Sequence, residues 1–381
     1  MLNRSWVFLT LVLANVMSLY ACGSDNQGTN APGGPHFSDE NVQRLDDAIA
    51  EQMRDKNLPG VVVGVWVPGE GEYVVAKGTA NLETGRARDL NDPFRIASIT
   101  KTFTATAILQ LVDEGKLSKT DKLSNWYPDF PNADEITIDD LLRMRSGIDD
   151  PFDQEFLDFF YQNPEVAFTA EDAIELAAER AEQFEPPGQK TTYTNVNYSI
   201  LEEIIRKVSG NDIGTQITAK IFEPLGMQNS LYPTDHNLPG DLRGYGWNAA
   251  REEFEDKTIL NPAVPGGAGA IISTLSDLRT YATALCTGAL LKPETHAAQL
   301  EGDPMDGEPA FIRYGEGIVL FGKFCGHNGT IFGFSSEMFY LPEEDAVIVV
   351  NVNRLDADDQ SKSTELFLVI TKILFPEYVD W

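Results

Sequence analysis

The stretch Phe94-Arg95-Ile96-Ala97-Ser98-Ile99-Thr100-Lys101-Thr102-Phe103 joins a small-residue approach directly to a helical pattern, which Ile108, Leu111 and Val112 continue and Gly115 closes. With Ser98 at the start of that helix, its hydroxyl and the ammonium of Lys101 lie one turn apart on the same face. A free serine hydroxyl is a weak nucleophile, and a neighbouring amine of lowered pKa can take its proton and return it to a leaving group. The Ser-x-x-Lys spacing also describes a serine that caps a helix beside a solvated lysine. Its meaning therefore rests on the rest of the chain.

Working outward, Ser38 can cap a first helix in which Val42, Leu45, Ile49 and Met53 recur at helical spacing. A buried strand at 61–67 follows, joined by Pro68-Gly69-Glu70-Gly71 to a partner at 73–76. From Leu117 to about Gly226 the pattern is mainly helical and loop-rich, clearest at 138–144, 170–182 and 198–208. After the run Gly266-Gly267-Ala268-Gly269 and a helix at 276–287, strands return at 315–320, 335–341 and 346–352, and an apolar helix at 365–374 ends the chain. The pattern predicts an α+β fold: an antiparallel sheet flanked by N- and C-terminal helices, with an inserted mainly helical lobe. The sheet lobe spans about 38–105 and 265–381, and the helical lobe about 106–264.

Residues 1–21 carry one charge, Arg4, ahead of an apolar run too short to span a bilayer, which reads as an export signal. Leu19-Tyr20-Ala21-Cys22 resembles a bacterial lipobox, in which Cys22 carries a lipid; a plain secretory signal is the simpler alternative. Residues 22–37, rich in Gly, Asn and Pro, read as a flexible tether. A formal charge of −30 opposes binding to nucleic acid and electrostatic docking on anionic lipid, so membrane attachment rests on the Cys22 lipid. Cys286 and Cys325 either pair, as export permits, or remain two buried thiols. They make no metal-ligand spacing with the four histidines, and the sequence supplies neither a metal site nor a cofactor motif.

Two further segments carry chemistry. Tyr193-Thr194-Asn195 precedes the helix at 198–208; two residues apart on an extended turn, a phenol and an amide point into one cleft. Gly326-His327-Asn328-Gly329-Thr330 interrupts the returning strands, its glycines permitting close backbone approach. Taken singly, these are a packed tyrosine with a turn asparagine, and a strand-end histidine. No Gly-x-Ser-x-Gly elbow occurs.

Ser98-x-x-Lys101, Tyr193-x-Asn195 and His327-x-Gly329, in that order, resemble the three motifs of serine hydrolases of the penicillin-binding and class C β-lactamase type. The histidine form of the third motif is most similar to the low-molecular-mass D-alanyl-D-alanine carboxypeptidases, from which Asn328 departs where threonine is usual. The resemblance implies an acyl-enzyme on Ser98, with Lys101 and Tyr193 sharing the proton work and either as the base. It implies an oxyanion hole from the amides of Ser98 and Thr330, a substrate amide held by Asn195, and His327 lining the leaving-group side and polarising Tyr193. It places Val319 near where those carboxypeptidases put an arginine for the terminal carboxylate; Arg313 or Lys323 would have to replace it, or a neutral ester or amide becomes the better substrate. The expected substrates are D-Ala-D-Ala-type peptides at the cell envelope, with an esterase or β-lactamase, or a penicillin-sensing or peptidoglycan-binding protein without turnover, as alternatives.

Overall fold

Helix α1 (Asp39–Asp55) starts where the Ser38 hydroxyl accepts from the Asn41 amide at 3.2 Å, with Asp39 and Glu40 in its first turn and Arg54 in its last, the signs the helix dipole favours. Leu45 and Ile49 form its buried stripe. The computed structural model describes residues 37–356 and 361–379; the expected export signal, Cys22 and the tether as far as His36 lie outside the described residues. Phe37, assigned above to the tether, is buried in the core.

Nine strands form one antiparallel sheet: β1 (Gly60–Val67), β2 (Gly71–Asn81), β3 (Arg86–Ala87), β4 (Asp303–Pro304), β5 (Ile312–Tyr314), β6 (Val319–Phe321), β7 (Phe324–Ile331), β8 (Phe334–Leu341) and β9 (Ala346–Val352). Their order is β3-β2-β1-β9-β8-β7-β6-β5-β4, so the first and last long strands lie side by side in the interior of the sheet with Val61 opposite Val352. Every residue of β1 is buried, which is why it reads as a continuous valine-rich run and not as an alternation. The α+β expectation holds. The central helices are α2 (Thr100–Asp113), α3 (Val196–Ser209) and α4 (Leu275–Thr287), and α5 (Lys362–Leu374) closes the fold.

Side-chain alternation along β7 assigns the two faces of the sheet. Phe324 packs edge-on against Phe367 of α5, whereas its neighbour Cys325 is disulfide-bonded to Cys286 of α4. Cys325, His327 and Gly329 therefore face α4, and Phe324, Gly326 and Asn328 face α5.

Two local expectations change. The Gly326–Thr330 segment lies inside β7 and interrupts nothing, because it is paired with β8 throughout, from Gly326 with Phe339 to Thr330 with Ser335, and Gly326 pairs with Val319 as well. The strand expected at 315–320 is a hairpin between β5 and β6. Its turn is pulled toward the helical lobe by buried Glu316, which accepts from Lys119 at 2.5 Å and Arg143 at 3.0 Å, and by the Gly317 amide donating to the Leu142 carbonyl. The Gly266–Gly269 run is one turn of helix.

The Cys286–Cys325 bond closes a loop with a sequence separation of 39. In a Cys286→Ser/Cys325→Ser variant, the lost constraint on the unfolded chain should lower stability by about 4 kcal/mol. Urea unfolding checks this; a midpoint equal to wild type would mean that the cysteines do not pair in solution.

Candidate active site

Phe94–Arg95 pairs with Ile272–Ser273, and the chain then turns sharply, with Ala97 at φ 51°, into a single 3-10 turn (Ala97–Ile99) that runs on into α2. A left-handed alanine costs on the order of 1 kcal/mol. It presents Ser98, half-exposed amid buried neighbours, at the edge of β7. A Cβ on Gly329 would fall 2.3 Å from the Ile96 carbonyl oxygen and 2.9 Å from the Ser98 nitrogen. Only glycine lets this strand lie against the serine turn, and the next residue, Thr330, is exposed at the opening.

Lys101, in the first turn of α2, is fully buried. Its Nζ donates to Ser98 Oγ at 3.0 Å, Asn195 Oδ1 at 2.8 Å and the Ala268 carbonyl at 2.9 Å. Burial lowers its pKa to about 7, against the opposing pull of Asp150. Asn195 ends the loop before α3, and its amide is held on its far side by Asp150, which accepts from the Asn195 backbone N–H at 3.1 Å and from Nδ2 at 2.8 Å. The Tyr193 hydroxyl is hydrogen-bonded to the Ser98 side chain, its ring centroid is 4.9 Å from Lys101 Nζ, and burial pushes its pKa up. At neutral pH the amine is thus the group of the two that is partly deprotonated.

His327 is enclosed, and burial lowers its pKa to about 3, with the nearby charge of Lys101 adding to the effect. The neutral ring donates from Nδ1 to the Asn328 carbonyl at 2.5 Å, which leaves Nε2 to accept from the Tyr314 hydroxyl at 3.3 Å. Tyr314 also lies beside Tyr198, whose hydroxyl donates to the Leu142 carbonyl.

Ser98, Lys101, Tyr193, Asn195, Gly329 and Thr330 thus meet around one opening, and two of the assigned roles change. Asn195 spends its carbonyl on Lys101 and an Nδ2 hydrogen on Asp150, so it orients the lysine before it holds any substrate. His327 lies beneath the opening, its ring centroid 6.3 Å from that of Tyr193 and its Nε2 on Tyr314, so it supports the floor and does not line the leaving-group side.

The reading of Val319 changes as well. It lines a small cavity under α5 with Asn328, Thr364 and Phe367, facing away from the opening. Lys323 pairs with Glu343 at 3.6 Å, and Arg313 stands in register with Leu320 on β6 and so with Cys325, two strands from β7. Asp150, Ala268, Tyr198 and Tyr314 were not singled out in the sequence. Asp150 sits unmarked in Gly147-Ile148-Asp149-Asp150-Pro151, and a backbone carbonyl such as that of Ala268 carries no residue signature.

The family model described as Beta-lactamase matches residues 45–370. A putative penicillin-binding protein, PbpX, of Bacillus subtilis is 27% identical over 309 residues, covering 78% of this chain and 72% of its own. A D-aminopeptidase of Cereibacter sphaeroides is 29% identical over 328 residues, 82% of this chain, which spans 59% of that relative's length. Among solved structures, a D-stereospecific amidohydrolase from Streptomyces superposes with a TM-score of 0.75 at 26% identity, covering 88% of this chain and 98% of that one. A penicillin-binding protein from Bacillus halodurans gives 0.73 at 25% identity, covering 86% and 99%.

The contact at Gly329 supplies a test. A Gly329→Ala variant must push β7 away from the Ser98 amide, and kcat should fall by about 10²-fold or more, the scale of a lost oxyanion donor. Steady-state kinetics beside a thermal melt checks this; wild-type kcat would show that the close approach has no part in turnover.

Proposed function

This chain belongs to the Beta-lactamase family, and from that premise we propose that it is a serine hydrolase which forms an acyl-enzyme on Ser98 from D-amino-acid amides or short D-amino-acid peptides. The observation that carries the reading is the buried amine of Lys101, 3.0 Å from Ser98 Oγ and with a pKa lowered to about 7. Lys101 takes the Ser98 proton as the oxygen attacks the substrate carbonyl. The amides of Ser98 and Thr330 receive the oxyanion, contributing about 3 kcal/mol each. Tyr193, kept protonated by its raised pKa, gives its proton to the departing nitrogen, and the Lys101 ammonium beside its ring returns one to the phenolate. Water then enters, loses a proton to the same pair, and releases the acid.

The leaving group is assigned by charge. A terminal carboxylate needs a cation, yet neither Arg313 nor Lys323 stands beside Thr330. Arg145 and Arg180 are engaged with Asp303, Asp149 and Asp153. An unpaired carboxylate entering this site loses several kcal/mol, so a neutral amide or ester suits it better than a D-Ala-D-Ala terminus. The activities for which the D-aminopeptidase and the D-stereospecific amidohydrolase are named point the same way. Carboxypeptidase action on D-Ala-D-Ala peptides is the second reading, favoured by the similarity to penicillin-binding proteins. The disulfide supports an exported protein, with Cys22 as its lipid anchor at the envelope.

A panel of a D-amino-acid amide, a nitrophenyl ester, a D-Ala-D-Ala peptide and a chromogenic cephalosporin tests this. The amide and ester should give the highest kcat/KM, and Ser98→Ala should lose about 10⁴-fold or more on every substrate. Faster release of D-alanine from the peptide would establish the second reading, and a persistent β-lactam label without turnover of any substrate would mark a sensor. Because neutral Lys101 is the base, log kcat/KM should rise with pH through about 7 and level above it, with no fall from Tyr193 below pH 10. A profile still rising steeply above pH 9 would contradict this assignment.

A further inference from the structure

Of the three acceptors on Lys101, the Ala268 carbonyl belongs to no motif, and something must hold it in place. It lies in the helical turn Gly266–Gly269, where Gly266 is at φ 42°. The Gly267 amide donates to Glu202 Oε2 at 2.7 Å, and the Gly267 carbonyl accepts from Thr104 of α2 at 2.7 Å. A Cβ on Gly266 would fall 2.5 Å from Glu202 Oε2, and one on Gly267 would fall 2.8 Å from the Tyr198 carbonyl oxygen. The glycines are thus what allows this turn to seat against α3. The other carboxylate oxygen, Oε1, accepts from the Tyr232 hydroxyl at 3.2 Å.

We propose that Glu202 is a positioning residue for the acyl-transfer reaction: by gripping the Gly267 amide it sets the Ala268 carbonyl against Lys101 Nζ. The inference rests on the reading of Lys101 as the base. One helix then controls two of the lysine's acceptors, because α3 follows directly on Asn195 and carries Glu202 two turns further along. Burial raises the Glu202 carboxyl to about 7, so its grip, strongest when ionised, weakens as pH falls. The groups bearing on Glu202 are Tyr232, Glu203 and Asp212, and those around Lys101 are Asp150, Tyr193, Tyr198 and His327.

A carbonyl that accepts from Nζ favours the ammonium form, so its loss lowers the lysine's pKa. The experiment is the pH profile of kcat/KM for Glu202→Ala and Glu202→Gln, with Ser98→Ala and thermal melts run alongside. In E202A the acid limb should move down by about half a pH unit or more, and kcat at the optimum should fall about tenfold with KM within about twofold. E202Q, whose amide oxygen still accepts from Gly267, should keep the wild-type limb position and a kcat between the two. If E202A does not fold, Glu202→Asp, which withdraws the carboxylate by one methylene, should show the same displacement in smaller measure. A lower melting temperature with an unmoved limb would overturn the inference and leave Glu202 a structural residue. Turnover surviving in Ser98→Ala would instead overturn the acyl-enzyme reading itself.

Discussion

An amine shut away from water holds its proton poorly, and the catalytic end of this molecule is built around that fact. Lys101 is enclosed and given three oxygen acceptors, one each from the serine turn, the start of α3 and the Gly266–Gly269 segment. The acceptors prevent the destabilisation of several kcal/mol that an unpartnered buried ammonium would bring. Burial still keeps its pKa near neutrality, so the same group is a tolerable cation and an available base. Because the acceptors come from segments some 70 to 170 residues apart in the chain, the lysine environment exists only when both lobes are in place.

The sheet supplies the second half of the site, and it does so by close approach. The Gly329 backbone abuts the Ser98 nitrogen, and the disulfide from Cys325 ties the same strand to α4 four residues earlier. Beneath the opening, neutral His327 is fixed by the Asn328 carbonyl on one side and by Tyr314 on the other. The floor thus carries no charge of its own, which preserves the low polarity that tunes Lys101.

Much of this was legible in the sequence where periodicity or motif order carries information. The spacing of Val42, Leu45, Ile49 and Met53, the valine run of β1 and the hairpin turn at Pro68 gave the fold class, and the order of the three short motifs gave the site. What failed did so for physical reasons. Glu316 and Gly317 look like strand residues until Lys119, Arg143 and the Leu142 carbonyl, more than 170 residues away, draw them into a turn. The face on which Val319 lies is decided by its pairing with Gly326, a register that distant strands set. Asp150 and the Ala268 carbonyl had no spacing to announce them. Asn195 and His327 were singled out by their motifs, but their hydrogen-bond partners, and so their tasks, depend on atoms the motifs do not contain.

Acyl transfer by this route requires Lys101 to lose its proton near neutral pH, and that ionisation can be observed directly. Nitrogen-15 NMR of lysine-labelled protein, with Lys101 assigned by its absence in a Lys101→Arg variant, follows the Nζ resonance through a pH titration. The expected result is a midpoint near pH 7 for this resonance. A Lys101 midpoint above pH 9 would mean an amine that stays charged while the enzyme works, and would contradict the assignment of Lys101 as the base.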